Sequence, residues 1–414
     1  MRRKAPAKGT SHSAGRPEPS RFRVVLVVLG ILLLAANLRP ALTSVAPLIG
    51  QIRTDAGLSN GVAGLLTTLP LLAFGVLSPV APRLARRFGL ERVLLVSLLV
   101  LAAGILLRSA GAVAALFLGS ATLGAAIAVG NVLMPGLIKR DFPERVGLMT
   151  SLYSTALAIS ATLAAGVSFP LAQQAGIGWR GSLTLWAVPA LVAALAWVPL
   201  LRNTRPGSDS IQTPSRVGGL WTSVLAWQVT LFMGLQSLAY YVTLTWLPEI
   251  LREGGVSAGR AGWMLALAQA VAIVSMFLAP MIAGRRPSQH GVVVVSAALN
   301  GAGILGLLFA PHTAGVLWIV LLGLGQGACF SLALTFFALR ASDPEHSAAL
   351  SGMAQSVGYL FAAFGPSLFG LLRDATHGWT VPLALLFAIV VGILISGLGA
   401  ARDAHVGQPT SQGS

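Results

Sequence analysis

The sequence predicts an all-α membrane protein: twelve transmembrane helices in two pseudo-symmetric six-helix bundles. Three observations predict it. The 414 residues are 55% hydrophobic and 10% charged, where a soluble domain carries about 25% charge. The apolar residues form continuous runs, such as 24–29 and 94–101, whereas the strands of a membrane barrel alternate apolar and polar residues. Matching residues also recur between the two halves at a near-constant offset. A disordered chain is excluded too, since it needs low hydrophobicity and high charge, and the mean hydropathy here is +0.79.

The elements follow in order. Residues 1–20 are polar and basic, with Arg2, Arg3, Lys4 and Lys8, and read as a disordered cytoplasmic tail. They do not read as a cleaved signal peptide, because the apolar run after Arg23 continues past Arg39 and Pro40 and many more runs follow. A helix needs about 20 apolar residues to cross a bilayer. Twelve segments meet that need: 23–49, 58–81, 92–109, 112–138, 146–172, 180–201, 219–247, 259–283, 289–310, 313–338, 347–372 and 379–400. The longest internal connection, RNTRPGSDSIQTPSR over 202–216, is rich in Ser, Pro, Gly and charge and marks a linker. The predicted organisation is a first bundle over 21–203, a cytoplasmic linker over 204–217, a second bundle over 218–402 and a cytoplasmic tail over 403–414.

A net charge of +16 suggests nucleic acid until its distribution is read. With the N-terminus in the cytoplasm, that side holds Arg83, Arg86, Arg87, Arg92, Lys139, Arg140, Arg145, Arg202, Arg205, Arg216, Arg285, Arg286 and Arg340, besides the basic tail. The other side holds only Arg53, Arg108, Arg180, Arg252, Arg260 and Arg373. This is the positive-inside asymmetry. It predicts a multi-pass protein of a bacterial-type plasma (inner) membrane with both termini cytoplasmic, the bilayer as partner and no nucleic acid. The one cysteine, Cys329, lies in an apolar stretch, forms no internal disulfide and supplies no metal spacing.

The repeat is visible residue by residue. Pro47 recurs as Pro248, Ala63-Gly64 as Ala261-Gly262, Arg86-Arg87 as Arg285-Arg286, Pro143-Glu144 as Pro344-Glu345, and Gly178-Trp179 as Gly378-Trp379. Each pair holds the same position relative to the spans. Parallel repeats with a site between them are a transporter architecture.

Twelve spans, two six-helix halves and a central linker resemble the major facilitator superfamily. Three segments narrow the resemblance: NLRPALTSV over 37–45, GLLTTLPLLAFG over 64–75 running into APRLARRFG over 81–89, and GNVLMP over 130–135 followed by IKRDFP over 138–143. Together these are similar to the cyanate and 2-nitroimidazole transporter family. The superfamily's G-x-x-x-D-R-x-G-R loop motif is degenerate here: aligned on Gly89, Pro82 stands at the first glycine and Arg86 at the aspartate, so the role of that aspartate is not carried over. The resemblance implies the major facilitator fold, a small-molecule substrate and alternating access about a central site.

The residues themselves point to where that site lies. Arg39 is about 16 residues into the first span, roughly 24 Å from Arg23 at 1.5 Å per residue. A charge at that depth is costly in lipid and should face the bundle interior. Its planar fork of donors suits a small anion, a carboxylate or a nitro group. Pro40 weakens the preceding turn. Snorkelling to the interface is the structural alternative. Asn37 sits beside Arg39, but adjacent helix positions do not share a face. Asn131 lies midway through the fourth span and Tyr153 near the start of the fifth. The repeat places Tyr240 at the position of Arg39, with Gln236 at i−4 on the same face. Gln269, Gln326, Gln355 and Tyr359 fall in spans eight, ten and eleven. One arginine facing a neutral polar wall makes a pocket for one negative charge; hydrogen bonding between helices is the alternative reading of each neutral residue.

Every acid and histidine of the chain falls in a tail, a connection or just beyond a predicted span end. Proton relays in pumps use such groups in mid-membrane, and a cavity for cations would want an acid. No constellation of nucleophile and base converges either. The expectation is therefore a facilitative or secondary active transporter rather than an enzyme, needing no cofactor and working as a monomer. An exporter of toxic compounds or multiple drugs from the same superfamily is the alternative. A receptor and a membrane-embedded enzyme rank below both. Gly323 and Gly327 predict close packing of span ten. The loops around Lys139-Arg140 and Arg340 read as solvated charge, with pairing across the halves as the alternative, and the tryptophans near span ends are expected to anchor the interface.

Overall fold

Proline placement decides how the apolar runs are cut into helices. The computed structural model describes residues 21–142, 145–203, 220–285, 288–310, 315–342 and 344–406. Helix α1 is Arg21–Leu38, and Arg39 stands between it and a single-turn helix α2, Pro40–Thr43. Pro40 has no N–H to give Ala36, and its ring crowds that carbonyl. Pro47 stands in the same relation to Thr43, where α2 stops. A 3-10 turn over Ala46–Leu48 leads into α3, Ile49–Ala56. The expected continuous helix over 23–49 is thus corrected to three collinear pieces, which together cover Val24–Ala56.

The first half continues with α4 (Asn60–Leu77), the basic α5 (Ala81–Phe88), α6 (Leu90–Arg108), α7 (Val113–Asp141) and α8 (Val146–Gln173). The sixth span is also split, at Trp186, into α9 (Gly178–Leu185) and α10 (Ala187–Trp197), because Pro189 opposes the carbonyl of Leu185. The second half holds α11 (Val224–Glu253), α12 (Ala258–Gly284), α13 (His290–Phe309), α14 (Gly315–Leu339), α15 (Pro344–Thr376) and α16 (Thr380–Ala400). Pro70, Pro135, Pro170, Pro248, Pro280 and Pro366 are absorbed within continuous helices, as membrane helices allow.

Eleven helical stretches among the described residues are long and apolar enough to cross a membrane. The remaining long helix, α11, has 30 residues, or about 45 Å at 1.5 Å per residue. Its Gln228, Thr230, Gln236, Ser237, Tyr240, Tyr241, Thr243 and Thr245 lower its hydropathy. They are tolerated because α11 packs against α12, α14, α15 and α16 and exposes little to lipid.

The halves meet along two helix pairs, α4 on α15 and α8 on α12. At the end of the bundle where α3, α8, α11 and α15 finish, the seams are tight. A Cβ on Gly64 would lie 2.6 Å from the Pro366 carbonyl oxygen, so α4 and α15 touch backbone to backbone. The Thr68 hydroxyl donates to the Ala363 carbonyl at 2.6 Å. The Asp374 carboxylate accepts from the Asn60 side chain at 2.6 Å and the Gly61 N–H at 2.9 Å. Gly262 of α12 approaches the Ala165 carbonyl of α8, 3.2 Å from its would-be Cβ. At the opposite end a Cβ on Gly136 of α7 or Gly352 of α15 would meet nothing within 4 Å. The contacts between the halves named above all lie toward the end where α3, α8, α11 and α15 finish.

The charged loops are described only in part, since Pro143, Glu144 and Asp343 lie outside the described residues. Arg140 reaches Glu91 at 2.6 Å and Asp141 at 2.7 Å within the first half. Burial works against its charge, but the two carboxylates more than offset this and hold its pKa above the ordinary arginine value. Arg340 stays within the second half, donating to Gln289, to the Ala400 carbonyl at 2.8 Å and to the Ala401 carbonyl at 3.3 Å. Each arginine thus ties its own half together. Of the tryptophans, Trp179, Trp246 and Trp379 are buried, whereas Trp221 and Trp263 are exposed. Trp246 stacks on Trp379 at 5.4 Å and donates to the Pro366 carbonyl at 2.8 Å. Gly323 and Gly327 pack against the Ala268 and Ala272 carbonyls of α12, as the packing reading anticipates. Residues 1–20, 204–217 and 407–414, read as tails and linker, lie outside the described residues.

Candidate functional site between the two halves

The break between α1 and α2 presents Arg39 to the second half. Its backbone is helical, with φ −101° and ψ −39°, but the missing turn at Pro40 leaves the side chain free to leave the helix surface. The Leu42 and Thr43 N–H groups both donate to the Arg39 carbonyl at 3.0 Å, which restarts the helix. Behind α2, Arg108 donates to the Ala41 carbonyl at 2.6 Å and is only 2% exposed. The sequence counts Arg108 among the few charges of the non-cytoplasmic side, at the end of the span over 92–109; the structure makes it a buried brace for the turn that carries Arg39.

Arg39 reaches across the molecule. One guanidinium nitrogen lies 3.5 Å from the Tyr240 hydroxyl, and its carbon sits 5.7 Å from the Tyr240 ring centre, within range of a cation–π contact. The residue pair that the repeat equates is therefore the pair that meets between the halves. Gln269 donates to the same hydroxyl at 2.8 Å. Tyr240 packs edge-on against Tyr241 at 5.1 Å, Tyr241 against Tyr359 at 6.4 Å, and Tyr359 against Phe74 of the first half at 5.8 Å. The Tyr153 hydroxyl donates to the Asn131 side chain at 3.2 Å. All four tyrosines of the chain, Tyr153, Tyr240, Tyr241 and Tyr359, stand close enough to act on the charge of Arg39. Among the described residues no carboxylate pairs with it.

Burial separates the predicted residues. Arg39, Asn131, Tyr240, Gln269, Gln355 and Tyr359 are half-buried, whereas Asn37, Tyr153, Gln236 and Gln326 are buried. Asn37 donates to the Leu33 carbonyl at 2.7 Å and to the Pro189 carbonyl of α10 at 3.2 Å, so its amide joins helices of the first half. Gln236 folds back onto the Met233 carbonyl at 3.1 Å and the Ser237 hydroxyl at 2.8 Å and does not share the site of Tyr240. Gln326 donates to Thr243 of α11 at 2.9 Å, inside the second half. Gln355 donates to Ser351 one turn back on α15 at 2.8 Å. The structure thus brings Arg39, Tyr240, Gln269, Tyr359, Tyr153 and Asn131 into one neighbourhood. Tyr241 was not singled out in the sequence, because it adjoins Tyr240 and neighbours on a helix do not share a face; the scarcity of tyrosine in the chain was the available signal.

Chemically this cluster around Arg39 offers one permanent positive charge, phenol hydroxyls that donate or accept, amides and aromatic faces. It can hold a planar anion by two parallel hydrogen bonds. Among the described residues no group of His, Cys, Asp and Glu is arranged to hold a metal.

Comparison with known proteins bears on the family and the fold. The description "Major Facilitator Superfamily" matches residues 26–366 and, again, 229–409. The chain is 46% identical over 397 residues to the uncharacterized transporter YycB of Bacillus subtilis (strain 168), covering 96% of this chain and 98% of that one. It is 44% identical to the 2-nitroimidazole transporter of Escherichia coli (strain K12), covering 93% and 97%. It is 33% identical to the cyanate transport protein CynX of the same organism, covering 90% and 95%. Among solved structures it resembles a D-xylose-proton symporter, with a TM-score of 0.74 at 15% identity over 91% and 97% of the two chains. It also resembles a bacterial homolog of the human lysosomal transporter spinster, inward-facing and occupied, with a TM-score of 0.70 at 16% identity over 92% and 96%. These last two likenesses concern the fold alone.

Proposed function

The chain belongs to the major facilitator superfamily, and we propose that it carries a small anionic or nitro-bearing molecule across the membrane by alternating access about Arg39. The observation that carries this reading is the contact of Arg39 with Tyr240: a permanent cation at the meeting of the halves, ringed by tyrosines and paired with no carboxylate among the described residues. Leaving a charge unpaired in a low-dielectric interior is expensive, and an anionic ligand offsets that cost. The names of two relatives, a 2-nitroimidazole transporter and a cyanate transport protein, support a ligand that is small, planar and an acceptor of hydrogen bonds. The charge asymmetry of the connections supports a cytoplasmic position for the end where α1 begins. In that orientation the end joined by Gly64, Thr68 and Asp374 faces outward.

The test is thermal stabilisation of purified protein in detergent, wild type against Arg39→Gln. The ligands are cyanate, nitrate, short carboxylates, nitroaromatics and lipophilic cations. A ligand that binds the folded state raises its melting temperature. An anion or nitro compound should stabilise the wild type and leave Arg39→Gln unmoved. Lipophilic cations that stabilise both proteins equally would make Arg39 structural and favour a drug exporter.

A further inference from the structure

Tyr153 and Tyr240 both bond to side-chain amides, in opposite senses. The Tyr153 hydroxyl donates to the Asn131 oxygen at 3.2 Å, so its proton is committed. The Tyr240 hydroxyl instead accepts, from the Gln269 amide nitrogen at 2.8 Å and from the Arg39 guanidinium at 3.5 Å. A hydroxyl has one proton and two acceptor sites, and a guanidinium has donors only. Both groups that face the Tyr240 oxygen are N–H donors, so its proton points away from them. Among the described residues no acceptor meets that proton. The two bonds differ in kind as well. Gln269 on α12 and Tyr240 on α11 belong to the same half, so their bond travels with that half. Arg39 belongs to the other half, and 3.5 Å is beyond the usual range of an N–H···O bond, so this contact is readily given up for a better acceptor. Two donor atoms at that separation can both reach one acceptor atom about 2.8 Å from each.

Resting on the anion reading of Arg39, we propose that Tyr240 is a second donor to the bound substrate and that Gln269 is the positioning residue that keeps it one. By holding an N–H against the Tyr240 oxygen, Gln269 denies the hydroxyl proton an acceptor inside the protein. The proton is left for the substrate atom that Arg39 also holds. The site is then a pair of donors, one charged and one neutral, supplied by opposite halves. The substrate bridges the halves through that pair, while Gln269 touches no substrate and acts through Tyr240. An amide turned over would present its oxygen instead, take the Tyr240 proton and remove the second donor.

A double-mutant cycle separates this role from a direct contact and from a merely structural one. Dissociation constants for nitrate and cyanate are measured by isothermal titration on the full chain in detergent, for wild type, Tyr240→Phe, Gln269→Leu, the double variant and Arg39→Gln. The melting temperature of each variant without ligand separates loss of fold from loss of binding, and Gln269→Met replaces Gln269→Leu if the latter does not fold. Tyr240→Phe should weaken binding by about tenfold or more, as loss of a hydrogen bond to a charged group does. Gln269→Leu should weaken it by a few-fold, because the hydroxyl then turns freely. The double variant should bind no more weakly than Tyr240→Phe alone, since Gln269 acts only through the hydroxyl. An equal loss from Gln269→Leu in the Tyr240→Phe background overturns the positioning role, because Gln269 then touches the ligand itself. Tighter binding in Gln269→Leu overturns it too, because the amide oxygen then held the proton. Binding that needs Arg39 and ignores Tyr240→Phe overturns the second donor and leaves the arginine site standing. No binding of either anion to wild type, or equal binding by Arg39→Gln, overturns the anion reading and this proposal together.

Discussion

Arg39 and Tyr240 show how much one residue pair depends on its surroundings. An arginine in a membrane interior needs partners that hold its charge without cancelling it. Here they are four tyrosines rather than an acid, and side-chain amides bond two of those tyrosines. A consequence follows for pH. Arginine stays protonated above pH 12 and tyrosine stays neutral below about pH 10. No chamber residue named here changes charge between about pH 5.5 and 8. The affinity for a permanently ionised anion such as nitrate should therefore be flat over that range. Titration calorimetry at several pH values checks this, and a sigmoidal loss centred near neutrality would reveal a histidine or carboxylate in the binding step. Residue-scale chemistry was partly legible in the sequence. A lone arginine deep in an apolar run has few places to go, so Arg39 was readable. Gln236 was not, because an amide at i−4 from Tyr240 can fold back onto its own helix at Met233 and Ser237 as easily as face a chamber.

Among the elements, the contact of α4 with α15 controls which end is open. Gly64 lets backbone meet backbone, and Asp374 at the end of α15 places a carboxylate on the first N–H groups of α4. That is a helix cap supplied from the other half, favourable both as hydrogen bonding and against the helix dipole. The cap exists only while this end is closed. Asp374→Ala removes about 0.5–2 kcal/mol of capping, and that loss falls on the closed state alone. The variant should shift the population toward opening at this end, seen as longer distances between spin labels on the outer ends of α4 and α15. Gly64→Val should do the same by sterics, since its side chain would overlap the Pro366 carbonyl. Unchanged distance distributions in both would show that the α8–α12 seam holds the end shut by itself. The breaks at Pro40 and Pro189 were foreseeable in principle from proline chemistry. Six other prolines sit inside unbroken helices, so proline alone does not announce which helix yields.

The whole molecule is two similar halves whose most polar long helix is also deeply packed. The segment over 219–247 is less apolar than the other eleven spans, and the 30 residues of α11 are shielded by neighbouring helices. Reporter fusions ending near residue 217 and near residue 255 should therefore report opposite sides of the membrane. The same side for both would leave an odd number of crossings and break the topology. The repeat also explains why Arg39 finds Tyr240. Residues related by the duplication approach one another where the halves face, and their chemical difference makes the chamber asymmetric.

Composition, continuous apolar runs and the offset repeat by themselves determined that this chain is a duplicated bundle of membrane helices, because burial in lipid demands long apolar helices wherever they lie in the fold. They also marked Arg39, because an isolated charge in such a run has so few tolerable environments. Only the tertiary structure decided which polar side chains gather around Arg39, that Arg108 braces α2 and that the seam of α4 with α15 is capped by Asp374. These depend on helix rotation and on contacts between residues far apart in sequence, such as Arg39 with Tyr240 and Asn60 with Asp374, and neither hydropathy nor local spacing carries that information.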